Sequence, residues 1–240
     1  MASLAARRWG HAASGYIGGL PLIGGPITFY LALDHGAAFA AQSATVTLAA
    51  LLGQSAHLLA FAFAARKGRW LLALLCGWTA YAVASVAASL VASWPLAALG
   101  LALLGLATAW IALPRAEGSP PPPAIPPMEL RLRLGAALLL AILILWSAPF
   151  FGPVVSGVLL SVPITGSIVP PFTLALYGPA ALARLMRGFV IGLTGFAAFF
   201  FIVAAGLERF GLAVFVPAIV AAPAAVFLAR RLAFPASRPG

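Results

Sequence analysis

Acidic side chains are almost missing from this chain of 240 residues: there are four, Asp34, Glu117, Glu129 and Glu208, beside 14 Lys+Arg. Charged residues of both signs make up 8%, against roughly 60 residues, about a quarter, in a soluble chain of this length. A soluble domain cannot cover its surface with so few. Disorder is excluded as well, because it needs low hydrophobicity and 63% of this chain is hydrophobic. Cysteine occurs once, at Cys76, which excludes an intrachain disulfide and a Cys-rich metal site. His11, His35 and His57 are far apart in sequence, so no metal site is expected. Walker A, GxGxxG, HExxH and haem-attachment motifs are all lacking. The run GQSAH (53–57) sets Ser55 and His57 about 200° apart on a helix, too far round to pair as nucleophile and base. No cofactor and no enzymatic activity are expected.

Long apolar runs are what the chain does have. They are continuous rather than alternating, which argues for membrane helices and against a β-barrel. Eight candidate spans lie at about 14–33, 37–65, 70–92, 95–113, 133–150, 154–176, 179–206 and 211–229. Arg7 and Arg8 before the first run imitate a signal peptide, but Gly and Pro interrupt that run, and it reads as the first span. The net charge of +10 does not point to nucleic acid, because the basic residues sit between the apolar runs. With the N-terminus in the cytoplasm, Arg209 alone falls outside, and the other basic residues with an assigned junction fall inside. The expectation is a multi-pass protein of a bacterial cytoplasmic membrane with both termini cytoplasmic. The lipid bilayer is then its first partner, and a homo-oligomer is open.

Residues 114–132 form a Pro-rich cytoplasmic linker between a membrane half at 1–113 and a second at 133–240. Either it only joins the halves, or it docks a partner with a polyproline groove. The halves are related. At an offset of 142, ten of 43 positions coincide over residues 14–56, among them Gly15/Gly157, Pro21/Pro163, Gly24/Gly166, Gly36/Gly178 and Gly53/Gly195. The first span thus matches the sixth. Five spans is an odd offset, so the copies cross the membrane in opposite directions. The fold class expected is all-α, with eight transmembrane helices in two inverted repeats and interrupted helices 1 and 6.

Chemistry is expected at those interruptions. In the first, Pro21 and Pro26 remove amide donors while Gly24 and Gly25 loosen the backbone, with Thr28 just beyond. In the second, Pro163, Gly166 and Pro170 interrupt, and Thr165 and Ser167 add hydroxyls. Half-helix N-termini present unpaired N–H groups and the positive end of a dipole, which suits an anion. Gln42 and Ser43, early in the second span, are placed to face the first break. Gln54 and Ser55 belong to the same polar series. His57 could carry protons, or could be a structural histidine bonded to a carbonyl. Arg184 and Arg187 share a face near the start of the seventh span and could form a positive inner vestibule. No carboxylate lies deep in a span, so the carboxylate relays of cation pumps are missing.

The runs IGGLPLIGGP (17–26), GAAFAAQSA (36–44) and RKGRW (66–70), with SVPITGSIVPP (161–171), GPAALA (178–183) and LERFG (207–211), resemble the TauE/SafE-type sulfite and organic-anion exporters. That resemblance implies a secondary transporter or facilitator of a small anionic solute, working outward. GGPITFYLALDHG (24–36) also resembles the first helix of LysE-type amino-acid exporters. An amino-acid or lipid-headgroup translocator is therefore the rival in transport, and a non-transporting membrane scaffold the rival outside it.

Overall fold

The computed structural model describes residue 12 and residues 15–91, 94–115 and 127–233. His11, both chain ends and most of the Pro-rich linker lie outside the described residues. Among those described there are helices and turns and no strand. The helices are α1 (Gly24–His35), α2 (Ala37–Ala49), α3 (Leu51–Ala64), α4 (Trp70–Val91), α5 (Pro95–Ala112), α6 (Pro127–Leu160), α7 (Ile164–Phe210) and α8 (Phe215–Ala233). A helical turn at 15–18 precedes α1.

Four helical stretches are long and apolar enough to cross a membrane: Ala37–Ala64, Trp70–Leu90, Pro95–Ala112 and Leu134–Ala233. This partition differs from eight separate runs. The last stretch covers 100 residues, about 150 Å if straight, against a hydrocarbon core of about 30 Å. It is bent instead. Gly152 (φ 71°) and Gly178 (φ 78°) are non-helical within α6 and α7, residues 161–163 are not helical, and Gly211 (φ 59°) follows α7. At 12 residues, α1 is too short to cross alone.

Gly36 separates α1 from α2 with φ 87° and ψ 169°. Gly178, at the offset of 142, has φ 78° and ψ −174°. That region of backbone space is open essentially to glycine alone. The coincidence of Gly36 and Gly178 in sequence is therefore one of geometry as well.

The core lies where α2 and α3 meet α7, with Leu48, Phe61, Leu185, Phe200 and Leu207 fully buried. Helix α4 lies on α3 and α8 on α7. The outward side chains of α4, α5 and α8 include Leu75, Val83, Leu90, Leu96, Ile111 and Ile219, all large, apolar and exposed. Such a girdle suits contact with hydrocarbon. Lipid gives no hydrophobic drive between helices, so close backbone approach has to hold them. Gly15 and Gly157 provide it reciprocally. A Cβ on Gly15 would lie 2.5 Å from the Leu185 carbonyl oxygen, and one on Gly157 2.5 Å from that of Ser43. Those two pairs are again related by 142.

Candidate functional site

The two interruptions share four backbone hydrogen bonds. In the first, backbone N–H groups donate from Gly19 to Gly15, Leu20 to Ile17, Leu22 to Leu20 and Gly25 to Pro21. In the second they donate from Ser161 to Gly157, Val162 to Leu159, Ile164 to Val162 and Ser167 to Pro163. Every pair of the second set is the first set moved by 142. Helical bonding lapses over 19–23 and 161–163, slightly before the positions expected from the prolines. Pro26 sits in the first turn of α1, where a missing amide costs little. Pro170 and Pro171 lie inside α7.

Both breaks open on one cavity of about 290 Å³. Residues 17–24 and 162–166 both line it, with Gln54, Leu58, Phe189, Phe196 and the start of α6 at Leu134, Ala137 and Leu140 among the other wall residues. Among the described residues, the amides of Ile23, Gly24, Thr165 and Gly166 donate to no backbone carbonyl. These four are the unpaired donors that two helix N-termini leave.

Four carbonyls at the second break, those of Gly157, Val158, Ser161 and Gly166, have side-chain partners from the other half of the chain. Gln54 Nε2 donates to the Ser161 oxygen at 2.6 Å, and Thr47 Oγ1 to that of Gly157 at 3.0 Å. Tyr81 OH donates to the Val158 oxygen at 2.7 Å and lies 2.8 Å from Ser161 Oγ. His57 Nε2 lies 3.2 Å from the Gly166 oxygen. Pro170 has no N–H, so this oxygen lacks its helical donor. The equivalent carbonyl in the first half, Gly24, accepts from Thr28 Oγ1 at 2.8 Å. The first break is covered differently. A Cβ on Gly18 would meet the Phe189 ring at 2.8 Å, one on Gly24 the Phe200 ring at 3.1 Å, and one on Gly25 the Phe199 ring at 3.2 Å.

Of the residues expected at a site, Pro21, Gly24, Pro163, Thr165 and Gly166 line this cavity. Gly25 lies beneath Phe199, and Pro26 is exposed. Thr28 is buried on its Gly24 bond. Gln42 is exposed, while Ser43 is buried and its carbonyl packs on Gly157. Ser167 lies one residue past the lining, and Pro170 is buried in α7. His57 is fully buried behind the second break, with its Nδ1 side against Gly77 of α4. Its place is that of a histidine bonded to a carbonyl.

Arg184 and Arg187 stand apart from the cavity. The Arg187 guanidinium lies 3.9 Å from the Trp110 ring centroid and donates to the carbonyls of Trp110 at 3.3 Å and Leu113 at 3.1 Å. It thereby caps the C-terminus of α5, where helical carbonyls lack donors. Arg184 Nε is buried without a partner among the described residues.

Gln54, Gly18, Gly19, Phe189 and Phe196 line the cavity without having been singled out as site residues. Gln54 stood in the polar series of the second span, and the repeat offset pairs it with Phe196. That pairing is the one signal that could have drawn both to the breaks. Comparisons of the chain with protein-family models, with curated proteins and with solved structures find no match.

Proposed function

We propose that the protein is a secondary transporter or facilitator of a small anionic solute, with the anion bound between the two breaks. One observation carries this reading: the four residues whose amides donate to no backbone carbonyl line a shared cavity, while donors from α2, α3 and α4 occupy carbonyls near the second break. A cation site would need those carbonyls free. Each helix N-terminus is equivalent to roughly +0.5 charge, so two of them balance about one negative charge without a basic side chain. Among the described residues no Lys or Arg lines the cavity, which favours a monoanion over a dianion. The apolar remainder of the wall suits a sulfite, sulfonate or carboxylate carrying little further polarity.

The accompanying architecture is eight spans in two inverted repeats. The shared hydrogen-bond pattern and the Gly36/Gly178 pair support it. On this reading α1 to α4 match the chain from residue 157 to α8, and α5 with the first part of α6 lies between the copies. Rocking of the copies about the cavity gives alternating access. The cytoplasmic termini, outward direction and resemblance to TauE/SafE-type exporters belong to the same proposal. A zwitterionic amino acid would need acceptors for its ammonium group, and the covered carbonyls disfavour it. A scaffold would need no cavity at paired breaks.

Flux into and out of proteoliposomes tests the reading with sulfite, a small sulfonate, a small carboxylate, a neutral amino acid and choline. Saturable movement of one or more of the anions, without movement of choline, is expected. Movement of choline or the amino acid alone, or of nothing, refutes it. For orientation, single cysteines at Ser119 and Ser93 in a Cys76-free chain should be labelled from outside intact cells only at Ser93.

A further inference from the structure

A second cavity, of about 280 Å³, lies away from the breaks. Its walls are Ala62 and Ala65 at the end of α3, Pro114 just after α5, and Pro179, Leu182 and Ala183 at the restart of α7 beyond Gly178. Two arginines from different chain segments line it, Arg66 and Arg115. The Arg66 guanidinium is steadied 5.0 Å from the Phe63 ring centroid. Arg115 is near enough to Arg187 for the two charges to repel. Arg187 is spent on Trp110 and Leu113, which leaves Arg66 and Arg115 as the cations facing this space.

Among the described residues, two like charges line this space with no anion beside them. Among the described residues, neither Arg66 nor Arg115 makes an ion pair. Glu208 lies at the far end of α7, about 38 Å from Ala183 at 1.5 Å per residue. Asp34 lies beyond the opposite end of α2 and α3. The other walls are apolar and small, so the space suits a head with oxyanion character beside hydrocarbon. Guanidinium groups recognise phosphate oxygens in a planar, bidentate manner. Basic pockets between membrane helices on the cytoplasmic side hold lipid headgroups by this chemistry.

We propose that the cavity at Arg66 and Arg115 binds a phosphate group at the inner membrane surface, supplied by the phosphodiester of an anionic phospholipid. The site is separate from the anion cavity at the breaks and stands whether or not the chain transports.

The test uses the full chain, purified in detergent and stripped of lipid, with retained adducts read by native mass spectrometry. The probes are phosphatidylglycerol, diacylglycerol with the same acyl chains, and inorganic phosphate. Retention of phosphatidylglycerol but not of diacylglycerol is expected. Each arginine near a membrane surface is worth about 1 kcal/mol, so Arg66→Gln with Arg115→Gln should weaken retention about 25-fold. Ala183→Leu keeps both arginines but narrows the cavity of about 280 Å³, and should weaken retention too. If inorganic phosphate binds and displaces the lipid at millimolar concentration, the phosphate chemistry holds with a soluble source. Equal retention of diacylglycerol overturns the proposal. So does undiminished retention in either variant eluting at the native volume.

Discussion

His57 Nε2 faces the carbonyl oxygen of Gly166 at 3.2 Å, the one carbonyl that Pro170 deprives of its helical donor. A proline in one half of the chain is thus answered by a side chain from the other. His57→Leu removes the side-chain partner that this oxygen has among the described residues. Hydrogen bonds within membranes average about 0.6 kcal/mol and reach about 1.7. Pro170→Ala returns an amide to the same place, so it should offset much of the loss. The check is a double-mutant cycle by unfolding in mixed micelles. Additive effects of the two changes would mean that the bond carries no energy.

Gln54→Leu keeps the volume of the side chain but uncovers the Ser161 oxygen inside the cavity. An uncovered carbonyl repels an anion and attracts a cation. The apparent Km for the transported anion should rise about tenfold, the equivalent of about 1.4 kcal/mol. Gln54→Asn, whose amide is too short to make the 2.6 Å bond without movement, should fall between. Unchanged kinetics in Gln54→Leu would detach this residue from the site.

Gly15→Ala and Gly157→Ala should cost alike, because each new methyl meets a backbone carbonyl at the same 2.5 Å. Backbone must move, at about 1–3 kcal/mol. Gly100→Ala is the control: a Cβ there meets nothing within 4 Å in the middle of α5, and helix propensity improves. Thermal unfolding of the three variants should show two losses of similar size and one small gain. Tolerance of alanine at Gly15 alone would break the reciprocity.

Arg187→Gln should lower stability by about 1–3 kcal/mol while leaving the Km for the anion near its starting value. The side chain serves the end of α5 rather than the cavity. Lysine should not rescue it, because an ammonium cannot both stack on Trp110 and reach two carbonyls in one plane. Paired measurements of melting temperature and flux check this. A raised Km with normal stability would restore Arg187 to an inner vestibule.

Much of the membrane class and the existence of both breaks was legible, because Pro and Gly act on their own backbone. Gly36 and Gly178 are the clearest case, since their dihedral angles are open to glycine alone. Where each break begins was less legible. Pro26 looks disruptive in sequence, yet it lies in a first turn that needs no amide from it. The partners of Gln54 and His57 were not legible at all. They lie more than one hundred residues away, and which carbonyl each meets depends on how the halves pack. The contacts of Arg187 were hidden for the same reason: the Trp110 ring and the bare end of α5 come from a distant segment.

The unequal covering of the two breaks has a mechanical consequence. Around 157–166 the backbone is held by directional bonds from Thr47, Gln54, His57 and Tyr81, which weaken as their distances and angles depart from the best geometry. Around 18–25 it packs instead on the rings of Phe189, Phe199 and Phe200 and, at Gly19, on the backbone of Gly192 and Leu193. Two copies of one backbone shape are therefore held by different forces, the second by directional bonds and the first by close packing.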